Sequence, residues 1–235
     1  MTTRAVLFDL DETLFDHRRA SMSSLEEIQQ EHPRLLAAPL TEIEAAFYRI
    51  LDQTFPEVLS GEVTPEQSRV HRIRLLFEEY GAPLTEQRAE ELALIYRQTY
   101  QESRYPVAGA KALLEVLHGR AQIGIVTNNF TAEQQDKLRC CALDHLIDFL
   151  VTSEDVGAGK PDPRMFQAAL DQAACGPREA VMVGDSWSSD VMGAHRAGIR
   201  AVWFNRTGAE MPVPGMVEEI RSLEPAEAVV SLLLA

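Results

Sequence analysis

Four short apolar runs constrain the fold of this chain more than any other feature: AVLF at 5–8, IGIV at 123–126, AVMV at 180–183 and AVWF at 201–204. Each is shorter than a core helix and holds no polar residue, so it reads as a strand buried on both faces of a parallel sheet. DFLV at 148–151 is a weaker fifth. From residue 109 onward the runs alternate with helical segments, GAKALLEVLHG, TAEQQDKLRC, PRMFQAALDQAA and SDVMGAHRAG. That alternation predicts an open α/β sheet with helices on both faces.

Residues 15 to about 105 follow another pattern, because no strand-like run interrupts them. Helix starts are marked instead: Thr41 with Glu44, Thr64-Pro65 with Gln67, and Thr85 ahead of EQRAEELALIYRQTY. Gly81 is placed to end the second of these helices. An all-helical insert of residues 15–105 is therefore expected between the first strand and the rest of the core, which takes residues 1–14 and 106–235. Phe47, Leu51, Leu75, Leu76 and Leu94 are its expected core.

A formal charge of −14 argues against nucleic acid or an anionic membrane as the main partner, and leaves small anionic substrates open. Asp9, Asp11, Glu12 and Asp16 interrupt any apolar leader, so neither a signal peptide nor a membrane span is expected. The closing VVSLLLA reads as the last packed element. Cys140 and Cys141 are adjacent and Cys175 stands alone, which fits a reducing cytoplasm. Nothing in the sequence fixes an oligomeric state.

In doubly wound sheets ligands bind beyond the carboxyl ends of the strands. Behind the first strand stands Asp9-Leu10-Asp11-Glu12-Thr13, behind the second Thr127-Asn128-Asn129, and behind AVMV Gly184-Asp185-Ser186 followed by Asp190. A further loop, GAGKPDP, holds Lys160 ahead of a helix that Pro163 can open. These are the parts of phosphoryl transfer. One carboxylate serves as nucleophile, a second exchanges protons, further acids complete a Mg²⁺ site, and cationic and hydroxyl groups stabilise the transferring oxygens.

Taken in order, DLDET, TNN, GKPDP and GDSWSSD resemble the four motifs of the haloacid dehalogenase superfamily. The resemblance covers residues 1–14 and about 105–205 and implies a Rossmann-like core, with the helical insert as a cap domain. It implies that Asp9 attacks phosphorus to form an aspartyl-phosphate, while Asp11 protonates the departing oxygen and later activates water. Mg²⁺ would be held by Asp9, the backbone carbonyl of Asp11 and Asp185, with Asp190 a ligand through water or a partner of Lys160. Thr127 and Lys160 would grip the phosphoryl oxygens, with Asn128 beside them. Superfamily members that cleave carbon–halogen bonds lack an acid at the position of Asp11, so a phosphatase is implied over a dehalogenase. The Glu at position 12, where sugar phosphomutases and phosphoglycolate phosphatases usually carry Gly, is more like the branch of nucleotide 5′-phosphatases and acylneuraminate phosphatases.

The expected reaction is thus Mg²⁺-dependent hydrolysis of a small phosphorylated metabolite. A nucleoside 5′-monophosphate leads, and a sugar or acylneuraminate phosphate follows. A 2-haloacid dehalogenase, a phosphotransferase or mutase and a non-catalytic binding protein are the alternatives. Plainer readings exist for single residues: Asp190 as a charge at a helix N-terminus, Lys160 as a surface lysine, and Thr131 as a helix cap. His71, His118, His145 and His195 lack metal-ligand spacing and read as surface or packing residues. His17 lies just past the first motif and is a candidate contact for the leaving group. Trp187 reads as packing.

Overall fold

In the computed structural model, which describes residues 2–235, the chain forms two compact units. One joins the chain up to Asp16 with Tyr105–Ala235; the other is His17–Arg104.

The first strand, β1 (Ala5–Phe8), runs into a polar loop and then into the helical unit. That unit consists of α1 (His17–Gln29), the short α2 (Pro33–Leu36), α3 (Leu40–Leu59), α4 (Pro65–Glu79) and α5 (Glu86–Glu102). The sheet unit resumes with α6 (Ala110–Leu117), β2 (Gln122–Thr127), α7 (Thr131–Cys140), β3 (Phe149–Thr152), α8 (Ser153–Val156) and α9 (Pro163–Gln172). It closes with β4 (Ala180–Gly184), α10 (Met192–Arg196), β5 (Arg200–Phe204), β6 (Glu218–Ile220) and α11 (Ala226–Leu234).

The six strands lie parallel in the order β3-β2-β1-β4-β5-β6, a Rossmann-like sheet. All four residues of β1 are buried, as its uniform apolarity requires. Phe8 and Phe166 are completely enclosed, and burying a side chain of that size contributes about 2–3 kcal/mol. The sheet order reverses between β1 and β4, the place where an α/β sheet opens a crevice at its carboxyl edge. β1 and β4 deliver the first and last of the sequence motifs to that edge.

The five apolar runs all become strands, whereas β6 carries the sequence Glu-Glu-Ile and went unpredicted. It pairs only with β5 at the sheet edge, where no buried face demands apolar residues. The C-terminal segment packs as expected, with Val229, Val230 and Leu233 of α11 buried.

In the helical unit Thr64 and Gln67 form the predicted reciprocal cap of α4, and Thr85 caps α5 by accepting from the Arg88 N–H. Gly81 follows α4 with φ +66°, a left-handed conformation that costs glycine little. Thr41 is a correction. Helix α3 begins one residue before it, behind Pro39 with no side-chain cap, and Glu44 pairs with Arg18 instead. Phe47 and Leu76 are buried and Leu51 and Leu75 half-buried, but Leu94 is 59% exposed and leaves the predicted core. Among the described residues, no helix is long and apolar enough to cross a membrane.

Candidate active site

Asp9 leaves the end of β1 with its N–H donating to the Val183 carbonyl of β4 at 2.9 Å, so backbone pairing continues into the loop and fixes the first carboxylate. The side chain is buried, and its Oδ1 receives the Lys160 ammonium at 2.6 Å. Asp9 Oδ2 has no hydrogen-bond partner among the described residues.

Lys160 is far from the surface lysine of the plain reading, at 6% exposure. Its ammonium bridges Asp9 and the Asp190 Oδ1, the latter at 2.7 Å. Its backbone is clamped by Asn128, which accepts from the Lys160 N–H at 2.5 Å and donates to the Lys160 carbonyl at 2.9 Å. Asn128 thus joins the second motif to the third. Pro163 opens α9 directly behind this loop, with Asp162 as its cap.

Asp190 is buried within a single π-type turn, Trp187–Val191, that follows β4, and its Oδ2 accepts from the Ser186 N–H at 3.0 Å. It is an ion-pair partner first and a helix-terminal charge second. Gly184 permits this approach, because a Cβ there would stand 2.3 Å from Asp190 Oδ2. Trp203 steadies the same turn by donating from Nε1 to the Asp185 carbonyl at 2.8 Å, and Trp187 packs edge-on against it with centroids 5.3 Å apart.

Oxygens of Asp9, Asp185 and Asp190 lie within 4.8 Å of one another. Burial first, then the charges of Asp190 and Glu12, push the Asp185 carboxyl up to about 7 despite Lys160. Asp9 is raised as well, by burial above all and then by Asp190 and Asp185, with Lys160 opposing. Burial pulls Lys160 down, but its two carboxylates outweigh that and hold it protonated. Three converging acids with a single ammonium between them present oxygen donors of the kind that suit Mg²⁺. The mutual repulsion recorded by the raised acids is what a divalent ion would relieve.

Asp11 turns elsewhere. Its carboxylate accepts from Lys137 Nζ at 2.6 and 2.9 Å and from Gln134 Nε2 at 3.2 Å, and Gln134 also donates to Thr127 Oγ1 at 2.6 Å. Lys137 and Gln134 are both buried, one turn apart on α7. Sequence reasoning missed them. The only available signal is that TAEQQDKLRC places a lysine and a glutamine three residues apart behind the second motif. Thr131 is not the cap of α7; Phe130 holds that position and the Thr131 hydroxyl pairs with Thr152 at 2.7 Å.

Arg206 is a second missed residue. It binds Glu12 at 3.1 Å and Asp16 at 3.0 Å, spanning the loop that holds the first two acids. Glu12 sits at φ +64°, a conformation that strains a non-glycine residue by about 1 kcal/mol or more. The ion pair offsets part of that cost. His17 falls in the helical unit, where Nδ1 lies 2.7 Å from the Tyr100 hydroxyl. The other four histidines named above are exposed, as expected. Cys140, Cys141 and Cys175 are unbridged.

A parallel sheet of this order with carboxylates gathered at its switch point defines a Rossmann-like α/β protein. The family described as haloacid dehalogenase-like hydrolase matches residues 3–198, and the chain belongs to it. The pyrimidine 5′-nucleotidase YjjG of Escherichia coli is 44% identical over 108 residues, 46% of this chain and 48% of that protein. The phosphoserine phosphatase of Thermus thermophilus is 40% identical over 151 residues, 64% of this chain and 59% of that protein. The chain thus spans about half the length of these curated relatives. The magnesium-bound HAD-hydrolase YfnB of Bacillus subtilis shares the fold over 100% of both chains, with a TM-score of 0.75 at 24% identity. A 2-haloacid dehalogenase of Pseudomonas syringae is 27% identical with a TM-score of 0.64, over 98% of this chain and 99% of that one.

Proposed function

We propose that the chain is a Mg²⁺-dependent phosphomonoester hydrolase acting through an aspartyl-phosphate, with a small phosphorylated metabolite as substrate. The observation that carries this reading is the convergence of Asp9, Lys160, Asp190 and Asp185 at the switch point, with Asp11 at the same edge.

Asp9 is the nucleophile. Lys160 holds one of its oxygens, and Oδ2, with no protein partner, attacks phosphorus. Asp11 gives a proton to the departing oxygen and takes one from water when the acyl-phosphate is hydrolysed. Lys137 and Gln134 fix the position of the Asp11 side chain, which enters the first step as the acid and the second as the carboxylate. Asp9, Asp185 and Asp190, with the Asp11 carbonyl, would hold the Mg²⁺, whose charge offsets that of the phosphoryl oxygens when bound. Lys160 and Thr127 supply further donors to those oxygens.

Dehalogenation is the rival, since a dehalogenase shares the fold. Halide departs without a proton, so a site that holds a second carboxylate between a lysine and a glutamine favours an alkoxide leaving group. The helical unit enters the chain directly behind the Asp9–Asp11 loop and acts as the cap that selects the leaving group. Nucleoside 5′-monophosphates and sugar or acylneuraminate phosphates are the candidate substrates.

The test is phosphate release from nucleotides, sugar phosphates and an aryl phosphate, with Mg²⁺ or chelator. Mg²⁺-dependent turnover is expected, falling on the order of a thousandfold or more in Asp9→Asn. Halide release from 2-haloacids without phosphate release from any ester would overturn the proposal.

A further inference from the structure

Gln134, near the start of α7 in the sheet unit, leaves a hydrogen bond unmade beside the candidate site. Its side chain is completely enclosed, and Nε2 donates twice, to Thr127 Oγ1 at 2.6 Å and to Asp11 Oδ2 at 3.2 Å. The amide oxygen Oε1 is sealed from solvent and has no hydrogen-bond partner. Such an acceptor has given up its hydration with nothing in return, and native folds rarely leave one.

Turning the amide over offers no remedy. Oε1 would then face the Thr127 hydroxyl, but it would also face Asp11, and a carboxylate can only accept. Asp11 is ion-paired with buried Lys137 at 2.6 and 2.9 Å, so its charge dictates that the NH₂ end of the amide points inward. The orphaned oxygen is one consequence. Thr127 bears the other: a hydroxyl carries one proton, and one that already accepts from Gln134 keeps that proton for a different acceptor. Among the described residues no other group pairs with Thr127 Oγ1.

We infer that Gln134 is a positioning residue for the second step of the reaction, turning Thr127 into a hydrogen-bond donor toward the transferring phosphoryl group. The inference rests on the phosphomonoesterase reading and deepens it. In that step a water oxygen attacks phosphorus, the bond from phosphorus to the Asp9 oxygen breaks, the Asp9 carboxylate leaves, and a proton of the water passes to Asp11. Asp11 enters as a carboxylate, the form that fixes the Gln134 amide, so the Thr127 proton is free for a phosphoryl oxygen. In the first step Asp11 carries the proton that it gives to the leaving group, and the amide is not bound to this orientation.

The test is rapid-quench kinetics with an aryl phosphate and Mg²⁺, which separates release of the aryl alcohol from breakdown of the aspartyl-phosphate. Wild type, Gln134→Met, Gln134→Glu, Thr127→Val and the double variant Gln134→Met with Thr127→Val are compared, with circular dichroism and Tm as checks on folding. Gln134→Met should slow breakdown about tenfold while release of the aryl alcohol changes by less than about threefold, so a burst appears. Gln134→Glu should slow breakdown more, although it is the closer match in shape, because a carboxyl group has at most one proton for two acceptors. In the double variant Gln134→Met should cost less than about threefold beyond Thr127→Val alone. The Tm of Gln134→Met should equal or exceed that of wild type, since the unpartnered oxygen is gone. Breakdown within about twofold of wild type in Gln134→Met, an undiminished cost of Gln134→Met beside Thr127→Val, or a loss of activity matched by a clear fall in Tm overturns the inference.

Failure of the parent reading has a different signature: no phosphoester turns over in wild type. Calorimetric titration with inorganic phosphate in the presence of Mg²⁺ then decides. Binding that Gln134→Met and Thr127→Val weaken alike keeps the donor assignment, whereas binding indifferent to Gln134→Met, or no binding by wild type, removes it.

Discussion

The two units treat buried charge in opposite ways. In the sheet unit Lys160 lies between Asp9 and Asp190, and Lys137 against Asp11, so each enclosed ammonium has its acid. In the helical unit Glu44 is matched by Arg18, but the Arg72 Nε faces no acceptor. A paired set of buried charges is held in one arrangement before any ligand arrives, as a chemical centre requires. A buried cation with no partner at its Nε lacks that compensation and costs the helical unit stability.

The contrast breaks most visibly at Lys160. Replacing it with Met strands two buried carboxylates and should cost about 3–5 kcal/mol of stability in metal-free protein. Chemical denaturation reads the loss, and phosphate release should disappear with it. A stable Lys160→Met protein would mean that the pairing is not structural.

Lys137→Met removes the main hold on Asp11 while leaving the Asp9 cluster in place. A fall of about ten- to a hundredfold in kcat, with a much smaller change in KM, is expected. An equal rise in KM would assign Lys137 to substrate binding instead.

Titration sharpens the same comparison. A carboxyl whose folded pKa is raised makes the folded state the stronger proton binder, so metal-free protein should lose stability as pH climbs from about 4 towards 7 through the Asp185 transition. Mg²⁺ must displace that proton. Its affinity should therefore weaken below pH 7 by up to about tenfold per unit, with proton release measurable by calorimetry in buffers of different ionisation enthalpy. Affinity that is flat between pH 5.5 and 8 would remove Asp185 from the metal site.

The smallest effect belongs to Arg72. Because its Nε has no acceptor, Arg72→Met should leave the free protein as stable as wild type or better, by about 1 kcal/mol, a rise in Tm of about 2–4 °C. A clear fall in Tm would make the contact with Phe47 a structural one.

How much of this was legible in the sequence follows from the range of each interaction. The apolar runs, the Thr64 and Thr85 caps and the acids behind β1 and β4 were readable, because a strand or a cap is dictated by neighbours a few residues away. Thr41 and Thr131 misled for a related reason: several residues near a helix start can serve as its cap, and the cap positions fall to Pro39 and Phe130, neither with a side-chain cap bond. Strand β6 carries no apolar signal because the sheet edge requires none.

By itself the sequence determined the α/β alternation, the helical insert and the order of the four motifs along the chain. Only the tertiary structure decided that Lys137 meets Asp11 across 126 positions, that Arg206 clamps Glu12 across 194, and that the Arg72 Nε has no hydrogen-bond partner among the described residues. The physical reason is that local conformation depends on neighbouring residues, whereas the pairing of a charge depends on which distant side chains the packed fold brings within hydrogen-bond reach, and which it leaves out.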